Sequence, residues 1–232
     1  MKTKKSFYLH LGMHKNASKF LQTYIFEKNK LGIPKCRVFT RESGVKIFVD
    51  LIEKVLRNKI SIHKAKNLIK EHTKNYQNII ISQESLLGYH FDNFEDVEKR
   101  FIILEKLFNK PNYLIVYRDQ ADFLFSLWTH KIRLGLKDDF KKFINCKDHN
   151  YNKGKRSIKY LTDYKIYNYN KIFRPYILLV NKRAIFLNFE RIKNKSFFIN
   201  KIKKFFSRKI LKDKFDINHK VNVSRKFELI YL

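Results

Sequence analysis

Proline and glycine are scarce in this chain, with three prolines and six glycines among 232 residues. So few backbone breakers exclude a string of domains on flexible joints and a Pro/Gly/Ser linker. A single domain covering residues 1–232 is expected, long enough to bury one large core. Cysteine is nearly absent. Cys36 and Cys146 are far apart and in no ligand-like spacing, which excludes a disulfide framework and a zinc module and reads as a reduced, cytoplasmic chain. No metal site is expected. His10 and His14 would share a helix face at their spacing of four, but here they straddle a strand end and a loop. No apolar run is long enough to span a bilayer, so no transmembrane segment is expected.

Acidic residues are also few, 21 against 51 Lys and Arg, for a net charge of +30. A field of that size suits a polyanion: nucleic acid, an anionic membrane or an acidic polysaccharide. The same charge follows from a codon bias toward A and T, which raises Lys, Asn, Ile, Tyr and Phe together, and all five are abundant. The lysines run along the whole chain rather than forming one tail, so no specific nucleic-acid partner is expected. The positive field still raises on-rates for an anionic ligand.

The start, MKTKKSFYLHLGMHK, has the outline of a signal peptide, but His10 and His14 interrupt its apolar stretch and no small-residue cleavage site follows. It reads as a first strand. Short apolar runs at residues 7–12 (FYLHLG), 78–82 (NIIIS), 113–117 (YLIVY) and 184–189 (AIFLNF) fit strands buried on both faces. Helical patterns fill the intervals, at residues 18–28, 45–57, 63–74, 92–108, 121–134, 158–173 and 191–206. The clearest has Phe94, Val97, Phe101, Leu104 and Phe108 at helix spacing. Residues 176–180 fit either a strand or a helix end. The alternation predicts an α/β fold with a central, mostly parallel sheet flanked by helices and right-handed crossovers.

In such a fold ligands bind beyond the carboxyl ends of the strands. After the first strand comes Gly12-Met13-His14-Lys15-Asn16-Ala17-Ser18-Lys19-Phe20-Leu21-Gln22. A helix N-terminus there offers unpaired backbone N–H groups, Lys15 adds a charge and Ser18 a hydroxyl, which together suit a phosphate. A capped helix beside a solvated lysine accounts for the same residues. The glycine pair of a Walker loop is missing, and Lys precedes the hydroxyl by three.

That order resembles the phosphosulfate loop of the sulfotransferase family, whose bacterial and carbohydrate members look like LHIGMHKTGTTYLQ where this chain reads LHLGMHKNASKFLQ. Leu9, His10, Gly12, Met13, His14, Lys15, Leu21 and Gln22 match, and Ser18 is a conservative match. Asn16, Ala17 and Lys19 stand where Thr, Gly and a second hydroxyl are common. Farther on, Arg118 at a strand end and Ser126 eight residues later are similar to the family's second signature, with Gln120 in place of its proline. Arg supplies a planar fork and Ser a short donor to one anion.

The resemblance implies a P-loop-like three-layer α/β fold and transfer of a sulfuryl group from 3′-phosphoadenosine 5′-phosphosulfate, leaving 3′,5′-bisphosphoadenosine. It implies that Arg118 and Ser126 hold the 3′-phosphate. Backbone N–H groups of Asn16, Ala17, Ser18, Lys19 and Phe20 would cradle the 5′-phosphate, and Lys15 would neutralise the leaving oxygen. The acceptor, by family analogy, is a hydroxyl or amine, with a carbohydrate the leading class. Glu84, in Ser82-Gln83-Glu84-Ser85-Leu86, stands at a strand mouth where a carboxylate can take the acceptor's proton, with His14 as the other base. Glu84 can equally cap the following helix or pair with a lysine. Asn188-Phe189-Glu190-Arg191-Ile192 resembles the element after the family's last core strand, with Glu190 in a structural role, and residues 220–226 are similar to a terminal segment of some members. Two other functions fit the same sequence: a nucleic-acid or polyanion binder, and a family member that binds nucleotide without catalysis.

Overall fold

The computed structural model describes residues 5–13, 18–26, 32–88, 94–133, 135, 137–145, 149–153, 156–160, 168–180 and 182–207. Five strands make an all-parallel sheet: β1 (Ser6–Gly12), β2 (Cys36–Phe39), β3 (Asn78–Ser82), β4 (Asn112–Tyr117) and β7 (Ala184–Asn188), in the order β2-β3-β1-β4-β7. β5 (His149–Lys153) and β6 (Arg156–Tyr160) form a separate antiparallel hairpin. The helices are α1 (Ser18–Phe20), which runs on as a π-helical turn over Leu21–Phe26, then α2 (Lys46–Leu56), α3 (Ile62–His72), α4 (Val97–Leu107), α5 (Gln120–Arg133), α6 (Phe140–Asn145), α7 (Tyr169–Ile177) and α8 (Lys195–Phe205).

Side-chain alternation along the strands makes the three layers. On β1, Leu9 and Leu11 join a core cluster with Phe48 of α2, Leu104 of α4, Phe123 of α5 and Ile172 of α7. Tyr8 points to the other face, among Phe20, Leu21, Ile25, Phe198, Ile202 and Phe205 from α1, its π turn and α8. β3 divides in the same way, Ile79 and Ile81 on one side and Ile80 on the other. Runs that read as uniformly apolar are therefore strands covered on both faces.

The polar interior is ordered by arginines. Arg100, buried on α4, places Nη2 2.7 Å from Glu53 Oε1 on α2 and Nε 2.7 Å from Asp96 Oδ2. Arg183 forks onto Glu105 at 2.8 and 2.9 Å, and the Tyr113 hydroxyl donates to the same carboxylate at 2.8 Å.

Several expected elements differ. Residues 158–173 are not one helix: β6 ends at Tyr160, and a new helix begins at Tyr169, where Asn168 Oδ1 accepts from the N–H groups of Asn170 (2.9 Å) and Lys171 (3.3 Å). Of the helix expected over residues 92–108, residues 92 and 93 lie outside the described residues, Phe94 adopts φ of 54°, and α4 begins at Val97. Residues 191–206 divide because Asn194 Oδ1 accepts from Phe197 N at 3.0 Å, capping α8 behind a 3-10 turn over Glu190–Lys193. Residues 176–180 include the end of α7, followed by a single bridge from Val180 to Ala184. The edge strand β2, Cys36-Arg37-Val38-Phe39, carries little strand signal because it is short and only Phe39 is buried. Among the described residues no helix is long and apolar enough to cross a membrane.

Candidate functional site

The parallel sheet puts the loops after β1, β3, β4 and β7 at one edge. β1 is central, with β3 on one side and β4 on the other. At about 4.8 Å per strand spacing, the ends of β3 and β4 stand about 10 Å apart across it. β1 closes on Gly12, paired with Val116. A Cβ there would lie 2.9 Å from the Val116 carbonyl oxygen, so glycine is required by close approach to β4.

His14, Lys15, Asn16 and Ala17 lie outside the described residues, as do residues 220–226 and Cys146. On the far side of that loop, Ser18 is half-buried, Lys19 is exposed, and Phe20 is buried with its ring 6.3 Å from Phe198. Lys19 thus turns to solvent, while Phe20 anchors the helix to the core.

Ser18 and Glu84 meet. The Ser18 hydroxyl donates to Glu84 Oε1, joining the helix after β1 to the 3-10 turn over Glu84–Leu86 that follows β3. Beneath this pair lies a polar network that sequence reasoning missed. Gln22 Nε2 donates to the Ser82 carbonyl and hydroxyl oxygens at 3.1 Å each, and the Ser82 hydroxyl is 2.6 Å from His10 Nδ1. Gln83 N donates to the His10 carbonyl at 3.1 Å. The β1–β3 register sets His10 directly beside Ser82. His10 is fully buried, and that burial pushes its pKa down to about 3, so its ring is neutral at physiological pH. Its Nε2 has no hydrogen-bond partner among the described residues. The available signal was a histidine inside an otherwise apolar strand.

Arg118 follows β4. Its Nε lies 3.2 Å from Glu190 Oε1 with the N–H misaligned for a hydrogen bond, and its guanidinium is 5.0 Å from the centre of the Phe189 ring. Glu190 Oε2 accepts from Asp119 N at 3.4 Å, and Asn188 Nδ2 donates to Asp119 Oδ1 at 3.4 Å. The partner of Arg118 is therefore Glu190, the residue assigned a structural role from sequence. Burial, then the Glu190 and Asp119 charges, push the Tyr169 hydroxyl well above its usual pKa. Carboxylate oxygens of Asp119, Asp122 and Glu190 lie within 4.8 Å of one another, the one grouping among the described residues with the spacing of a cation site. These carboxylates crowd the arginine expected to hold a phosphate. Ser126 is half-buried on α5, one turn beyond Asp122 and on its side of the helix. Among the described residues no hydrogen bond joins Ser126 to Arg118.

Two other groups stand apart. Lys131, buried on α5 about 16 Å along the helix from Gln120, is pushed down to about 7 by burial. Cys36, half-buried on β2, has its thiol raised to about 11 by burial, which makes it a poor nucleophile at neutral pH.

Compared with protein-family models and with curated proteins, the chain matches none.

Proposed function

We propose that this protein is a sulfotransferase that moves the sulfuryl group of 3′-phosphoadenosine 5′-phosphosulfate to a hydroxyl or amine acceptor, a carbohydrate being the leading class. The observation that carries the reading is the meeting of Ser18 and Glu84 at the carboxyl end of the sheet. A carboxylate that already accepts a hydrogen bond from one hydroxyl supports the reading of Glu84 as the group that takes the acceptor's proton.

In the proposed reaction the acceptor oxygen attacks sulfur in line. The new S–O bond forms as the S–O bond to the 5′-phosphate breaks. The acceptor's proton passes to Glu84, and the electron pair of the broken bond stays on the phosphate oxygen. Lys15 neutralises that oxygen, and His14 is the second candidate base. Backbone N–H groups from Asn16 to Phe20 hold the 5′-phosphate, while Arg118 and Ser126 hold the 3′-phosphate. Positioning and charge stabilisation supply most of the rate, as in phosphoryl transfer.

The test is transfer of labelled sulfate from the donor to a panel of sugar, phenol and amine acceptors, with Lys15→Ala alongside. Transfer is expected with at least one acceptor and is expected to vanish in the variant, whose thermal unfolding should match the parent. Unchanged turnover without Lys15 would refute the assignment.

A second reading, nucleotide binding without transfer, is favoured by the carboxylates around Arg118, which oppose a doubly charged 3′-phosphate. It predicts that AMP binds as tightly as 3′,5′-bisphosphoadenosine and that no acceptor is sulfated. Thermal shifts with the two nucleotides separate the readings.

A further inference from the structure

A second feature begins where the candidate site ends. The chain leaves β7 through the turn over Glu190–Lys193 and enters α8. Phe198, Ile202 and Phe205, at i, i+4 and i+7, form the buried stripe that seals the sheet. One residue back on each turn lies a different stripe: Phe197, Lys201 and Lys204. Arg191 reaches into it from the preceding turn. Its guanidinium carbon is 4.2 Å from the centre of the Phe197 ring, and Lys201 Nζ is 5.5 Å from the same centre.

This packing brings like charges together. Lys201 is half-buried, and its pKa falls first through that burial and then through Lys204 and Arg191. None of the ion pairs among the described residues involves Arg191, Lys201 or Lys204, and the nearest carboxylate in sequence, Glu190, is paired with Arg118. Lys193 and Lys195 are exposed beside them. Such a cluster costs folding free energy, and an anionic surface offsets that cost.

We infer that the Arg191–Phe197–Lys201–Lys204 stripe docks this protein on an anionic lipid surface. Cations clustered on one face of an amphipathic helix are the arrangement that anionic headgroups attract. A lipid surface fits better than nucleic acid on two grounds. The Phe197 ring is already engaged by two cations, whereas an aromatic platform for single strands stacks on bases. The stripe also lies at the protein surface, with Lys193, Lys195 and Lys204 exposed and Phe197 and Lys201 half-buried, which suits contact with a flat charged layer. Docked this way, the sheet edge bearing Ser18, Glu84 and Arg118 would lie beside the membrane, since Arg191 directly follows Glu190. The inference does not depend on the reaction proposed above.

The experiment is co-sedimentation of the full chain with vesicles of phosphatidylcholine alone and of equimolar phosphatidylcholine and phosphatidylglycerol. Three proteins are compared: the parent, the stripe variant (Arg191→Gln, Lys201→Gln, Lys204→Gln), and a charge-matched variant on α3 (Lys64→Gln, Lys66→Gln, Lys70→Gln). The parent is expected to bind only the anionic vesicles. The stripe variant should lose about fivefold per charge removed, or about 100-fold in all, while the α3 variant stays near the parent. The single change Lys204→Gln, at an exposed position, should cost about fivefold with no effect on folding. Equal losses in the two triple variants would reduce the binding to net charge and overturn the inference. So would failure of the parent to sediment, or displacement of the parent from vesicles by single-stranded DNA whose binding depends on the same stripe.

Discussion

Ser18 and Glu84 are 66 positions apart in sequence and share a hydrogen bond at the carboxyl edge of the sheet, the hydroxyl donating to the carboxylate. The contact exists because β1 and β3 are neighbours running in one direction, so the turn after each emerges at the same place. It unites a residue of the expected phosphate loop with the expected base.

Glu84→Gln keeps the shape of the side chain and removes its basicity. If Glu84 takes the acceptor's proton, kcat should fall by about 10²–10⁴ with little change in KM for the donor nucleotide. Steady-state kinetics in both substrates checks this. A rise in donor KM with unchanged kcat would instead make Glu84 a residue that only orients Ser18.

His10 makes stability depend on pH. Its folded pKa of about 3 lies below the unfolded value of 6.5. Between those values the unfolded chain binds a proton that the folded chain does not. Stability is therefore unaffected above pH 6.5, falls as the pH drops below it, and levels off near pH 3. The slope is at most ~1.4 kcal/mol per pH unit from this one group. Urea unfolding of the parent and of His10→Asn at several pH values should show a shallower acid slope in the variant. Parallel slopes would mean that His10 is not buried neutral.

Glu190→Gln removes a carboxylate 3.2 Å from Arg118 Nε. The pair is partly exposed and poorly aligned, so its contribution is at most ~1 kcal/mol. Binding of 3′,5′-bisphosphoadenosine should tighten by up to about fivefold, the equivalent of that energy, with AMP unchanged. Calorimetric titration reads both. Equal gains for the two nucleotides would place the 3′-phosphate away from Arg118.

Gly12→Ala should destabilise the fold by about 1–3 kcal/mol, because the new methyl group meets a backbone carbonyl that cannot swing away. Thermal unfolding measures the loss. A stability equal to the parent's would show that β1 and β4 can separate at their ends.

Much of this architecture is written in local chemistry. The apolar runs at β1, β3, β4 and β7 are longer and more uniform than their surroundings, and water alone forces them inside. Hence the α/β alternation and the positions of Gly12, Glu84 and Arg118 at strand ends are legible without coordinates. The caps at Asn168 and Asn194 were also present in the sequence, but helix periodicity ran across them, and both breaks were lost. β2 left almost no trace, since a four-residue run with only Phe39 buried becomes a strand only because β3 offers it hydrogen bonds.

Tertiary structure alone decided the pairings. Nothing local brings Gln22 and His10 to Ser82, or sets Glu190 rather than Asp119 or Asp122 against Arg118. Nor does composition single out Arg191, Lys201 and Lys204 from the other cations of a chain with net charge +30. A strand declares itself through hydrophobicity, which each residue carries with it. A site is made of distances between residues far apart in the chain, and those come into being only when the sheet fixes which strand lies beside which.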